Sequence, residues 1–66
     1  MATGTVKWFN AARGFGFIEQ PDGADVFAHF SHISDRNLFL LLEGQKVHFD
    51  VMQAPRGLYA ENIISA

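Results

Sequence analysis

Gly14-Phe15-Gly16-Phe17-Ile18 and Asp25-Val26-Phe27-Ala28-His29-Phe30 are the stretches that decide how this chain folds. Successive side chains of a strand point to opposite faces, so Phe15 and Phe17 share one side and Phe27 and His29 share one side. Opposite the two phenylalanines stand Gly14 and Gly16, while Ile18, Val26 and Ala28 supply small or branched core candidates. Trp8, with Lys7 and Asn10 close by, is expected to join the ring-bearing surface. Rings interleaved with Lys, Arg and His on one sheet face make a stacking platform for unpaired bases. Burial of all the rings is the weaker account, because a domain this small cannot enclose five or six of them with glycines in between.

Outward from these stretches, the periodicity reads as strands. Residues 5–10 are rich in β-formers (Thr5, Val6, Trp8, Phe9), 15–20 form a second strand and 25–29 a third. Pro21-Asp22-Gly23 and Pro55-Arg56-Gly57 are turns, with Pro presetting φ and Gly accepting positive φ. Val47, Phe49 and Val51 alternate with Lys46, His48 and Asp50 in a half-buried strand over 46–52, and 58–64 make the last. Short strands with glycine turns give an all-β fold, a small barrel or a sandwich, with 1–66 as a single domain. Residues 31–44 break the pattern; a helical turn capped by Ser34 or Asp35 fits there. Of the apolar run Leu38-Phe39-Leu40-Leu41-Leu42, Leu41 is the expected core residue, and at least two of Leu38, Phe39 and Leu40 are expected to be exposed.

Composition narrows the function. A chain of 66 residues buries only about 60% of its unfolded surface, so its stability is expected to be small. Without cysteine it has no disulfide, thiolate metal site or thiol nucleophile. No secretory leader or bilayer-spanning run is visible, so a cytoplasmic protein without a membrane partner is expected. The net charge of −2 and the five cations (Lys7, Arg13, Arg36, Lys46, Arg56) argue against binding driven by phosphate neutralisation. If Lys7, Arg13 and Arg56 meet phosphates, the salt slope on a single strand is roughly −2, and stacking carries the rest.

Lys7-Trp8-Phe9-Asn10, Gly14-Phe15-Gly16-Phe17-Ile18 and Asp25-Val26-Phe27-Ala28-His29-Phe30-Ser31 resemble the bacterial cold-shock proteins, and Glu43-Gly44-Gln45-Lys46-Val47 and Ala60-Glu61-Asn62-Ile63 match later parts of that family. The resemblance covers almost the whole chain. It implies a five-stranded antiparallel barrel of the oligonucleotide-binding (OB) fold that binds single-stranded RNA and DNA as an RNA chaperone, with no enzymatic activity and no cofactor. Matched position by position, the implied nucleic-acid-binding residues are Lys7, Trp8, Phe9, Asn10, Arg13, Phe15, Phe17, Asp25, Phe27, His29, Phe30 and Arg56, with Leu38 where the family has a base-capping aromatic. The rings would stack, Lys7, Arg13 and Arg56 would meet phosphate, and Asn10 and Asp25 would read base edges.

The departures from the family cluster. Leu38, Phe39 and Leu40 stand where aromatic, polar or charged residues are usual, His32 where a small one is, and Leu58-Tyr59 where Pro-Gln is. Leu38, Phe39, Leu40, Leu58 and Tyr59 thus form a candidate apolar patch for a protein partner or a homodimer. Other chemistries are poorly supported. His29-x-x-His32 with Asp25 lacks third and fourth ligands at a zinc spacing. Ser31-His32 with Asp25 has neighbouring side chains pointing apart and no oxyanion-hole motif. Gly14-Phe15-Gly16 lacks the third glycine and the helix of a dinucleotide site.

Overall fold

The computed structural model describes residues 1–34 and 41–66. Among these, the strands are β1 (Ala2–Asn10), β2 (Phe15–Glu19), β3 (Asp25–His29), β4 (Lys46–Ala54) and β5 (Gly57–Ser65). They close into a barrel in the order β1-β2-β3-β5-β4. Each strand lies where the periodicity put it; β1 begins three residues earlier than the expected 5–10, β2 ends at Glu19 rather than at residue 20, and β4 and β5 run further at their ends.

One feature of the expected barrel is corrected. β1–β2, β2–β3, β4–β5 and β1–β4 pair antiparallel, but β3 pairs parallel with β5, at Phe27 and Tyr59. The reason is geometric: around a closed ring with an odd number of strands, directions cannot alternate everywhere, so one neighbouring pair must run parallel.

A 3-10 turn spans Phe30–His32, and His29 caps it by accepting the Ser31 N–H on its imidazole; the helical turn expected after Ser34 or Asp35 falls outside the described residues. Ile33 then bridges to Ile63, and the Ser34 N–H donates to the Ile63 carbonyl at 2.8 Å. Asp35 and the apolar residues Leu38, Phe39 and Leu40 lie outside the described residues.

The interior is filled by Val6, Ile18, Val26, Ala28, Leu41, Val47, Phe49, Ala60 and Ile63. Leu41 closes it as the sequence suggested, at 2% exposure. Strand alternation accounts for most of these positions. The exception matters for function. Between Val6 and Trp8 the β1–β2 register slips, Val6 facing Ile18 and Trp8 facing Phe17. Strict alternation would turn Trp8 inward beside the buried Val6; the bulge turns it out and turns Phe9 toward the core instead.

Candidate nucleic-acid interface

The registers assemble the outward rings into rows. Trp8 of β1 faces Phe17 of β2, which faces Phe27 of β3; in the next row Phe15 faces His29. Ring centroids follow: Trp8–Phe17 5.5 Å, Trp8–Phe15 6.0 Å, Phe17–Phe27 5.8 Å, Phe15–Phe27 5.8 Å and Phe27–His29 6.5 Å. Phe30, on the 3-10 turn, continues the surface 4.7 Å from His29. Most of these rings meet edge-on or tilted, and Phe27 and His29 stack at 28°, so they support one another while each keeps exposed surface. Phe30 is 57% exposed and Trp8 40%.

The rings are held from below. His29 Nδ1 accepts the Ser31 N–H at 3.2 Å, which fixes the imidazole orientation. Gly14, at φ +77°, lies under Phe30, and a methyl group there would come within 2.5 Å of the Phe30 Cδ1. The Phe30 N–H also donates to the Gly14 carbonyl at 2.8 Å, so the turn and the ring are seated on the same glycine. Gly16 faces inward opposite Phe9 and leaves room for it: a Cβ there would lie 2.6 Å from the Phe9 Cα.

Polar groups fringe the rings. Lys7 Nζ lies 3.2 Å from the Asp25 carboxylate, both side chains being half exposed. The Asn10 side-chain oxygen accepts the Arg13 N–H at 3.1 Å and so shapes the β1–β2 turn that carries the exposed Arg13. Arg56, exposed in the β4–β5 turn, lines a groove of about 660 Å3 with Asp25, Phe17, Phe27 and Tyr59.

Measured against the sequence expectations, the structure brings Trp8, Phe15, Phe17, Phe27, His29 and Phe30 together, with Lys7, Asp25 and Arg56 at their border. Phe9 is set apart, half-buried against the core. Asn10 already spends its carboxamide oxygen on the turn. Of the candidate apolar patch, Leu58 and Tyr59 line one groove, Leu58 also packing against the barrel core and Tyr59 meeting the His32 ring at 5.8 Å. Leu38, Phe39 and Leu40 are outside the described residues. His29 and His32 are engaged separately, with Ser31 and Tyr59.

Comparison with known proteins agrees with this geometry. The family model described as the 'Cold-shock' DNA-binding domain matches residues 2–66. The chain belongs to the cold-shock domain family. This is a nucleic-acid-binding, non-enzymatic family. A cold shock protein of Bacillus subtilis, CspC, is 58% identical over 66 residues, all of both chains. The major cold shock protein of Streptococcus pyogenes is 60% identical over 63 residues, 96% of this cold-shock domain and 94% of that protein. Among solved structures, Drosophila Unr CSD456 superposes with a TM-score of 0.80 at 27% identity, covering 98% of this cold-shock domain and 26% of that longer chain. Among the described residues no helix is long and apolar enough to cross a membrane.

Proposed function

We propose that this cold-shock domain binds single-stranded RNA and DNA by stacking unpaired bases on the Trp8–Phe17–Phe27 and Phe15–His29–Phe30 rings, and acts as an RNA chaperone in the cytoplasm as a single non-catalytic domain. The observation that carries the reading is the unbroken chain of ring contacts across β1, β2 and β3, each ring supported by a neighbour and still open to solvent. Each stacked base is worth about 1–3 kcal/mol and is accepted almost regardless of sequence, since every base offers a π-face. A paired base offers none without leaving its stack, at a cost of a few kcal/mol. The domain therefore favours open strands and melts marginal hairpins by mass action, without ATP. Lys7, Arg13 and Arg56 add phosphate contacts, and Asp25 supplies an acceptor for base amino groups.

Fluorescence anisotropy of a labelled strand, alone and annealed to its complement, tests this. Binding to the single strand at least tenfold tighter than to the duplex is expected, together with opening of a marginal hairpin at stoichiometric protein. Equal affinity for both forms would contradict the stacking mechanism.

A further inference from the structure

The outer row of rings does not stop at β3. Phe27 is in register with Tyr59, across the parallel β3–β5 contact. Tyr59 shares the outer face: it lines one groove with Phe17 and Phe27, while its neighbour Ala60 is fully buried in the core. Between Phe17 and Phe27 on one side and Tyr59 on the other lies the groove of about 660 Å3, with Asp25 and Arg56 also on its walls. The groove lining is mostly apolar and includes Pro55 and Leu58. From the 3-10 turn, His32 packs against Tyr59 at 5.8 Å and 49° without lining the groove, so Tyr59 is braced from outside the groove that it walls.

Resting on the single-strand reading above, we infer that Tyr59 forms an additional base-stacking subsite, taking one unpaired nucleobase into the groove beside Phe27. The occupant follows from continuity and chemistry. A strand whose bases already lie on Trp8, Phe17 and Phe27 meets this groove next along the same row. An aromatic wall suits the face of a base, Arg56 suits the following phosphate, and the Asp25 carboxylate accepts from a base N–H such as thymine N3–H. An isolated anion is a poor fit, since Asp25 shares the groove with its one lining cation. The subsite lengthens the strand footprint toward β5, whereas Phe30 lengthens it toward the 3-10 turn.

The test is affinity as a function of strand length, with oligothymidines of about 4 to 16 bases, for the unmodified protein and for Tyr59→Ala, Tyr59→Phe and Phe27→Ala. Folding of each is checked by circular dichroism. Tyr59→Ala is expected to bind the shortest strands as the unmodified protein does. On longer strands it loses roughly 5- to 150-fold and reaches its plateau one base earlier. Tyr59→Phe keeps the full profile, because it keeps the ring. Phe27→Ala is weaker at every length. A Tyr59→Ala profile that overlays the unmodified one overturns the subsite and leaves the platform standing, as does a Tyr59→Phe loss equal to that of Tyr59→Ala. Failure of the unmodified protein to bind any length removes the platform and the subsite with it.

Discussion

Ile18, Val26 and Ala28 on the inner side of the β2–β3 hairpin are fully sealed from solvent, while Phe15, Phe17, Phe27 and His29 on its outer side remain partly exposed. Both sets ride on one backbone in one register: Ile18 faces Val26 inside, and Phe17 faces Phe27 outside. The larger rings are thus the ones left in water, the reverse of what a stability-driven sheet would choose. Removing an inner side chain should damage folding and spare binding per folded molecule. Removing an outer ring should do the opposite.

The largest expected separation comes from the double variant Phe15→Ala/Phe27→Ala. Stacking losses of about 2–6 kcal/mol in total abolish measurable strand binding, while circular dichroism shows the native fold; unchanged affinity in the folded double variant would refute the platform. Next is Ile18→Ala, expected to lower stability by about 2–5 kcal/mol out of the about 3–10 kcal/mol that a domain of this size commands. Its urea midpoint should fall steeply while the affinity of the fraction still folded holds. Gly14→Ala is the substitution that should break the separation. It forces a side chain into φ +77° beneath Phe30, at about 1–2 kcal/mol, and displaces a platform ring. Both the urea midpoint and the strand affinity should drop together. The smallest effect belongs to Lys7→Gln. Its half-exposed ion pair with Asp25 is screened, so stability should move by less than about 1 kcal/mol, while the salt slope of binding flattens by about 0.7.

Much of this contrast was legible in the sequence, because strand alternation in Phe15-Gly16-Phe17-Ile18 and Val26-Phe27-Ala28-His29 separates rings from core residues without any knowledge of partners. Leu41 was legible too, as the member of the apolar run that closes the barrel. Other features needed the third dimension. Alternation would have put Trp8 with Val6, and only the slipped β1–β2 register reverses Trp8 and Phe9. The parallel β3–β5 contact depends on closure of the ring, which no local pattern reports, and it is this contact that sets Tyr59 beside Phe27. Gly14 read as a gap opposite a ring; it is the seat of Phe30, sixteen residues further along the chain, and couples the β1–β2 turn to the 3-10 turn.

Trp8 lies against Phe15 and Phe17 at one end of the platform and reports on it directly. Its fluorescence, followed during titration with oligothymidine at low and moderate salt, is the measurement to make first. The account predicts strong, saturable quenching with a salt slope of only about −2, since stacking outweighs counterion release. Absence of quenching in a protein that circular dichroism shows to be folded would contradict it, because no base would then have reached the rings.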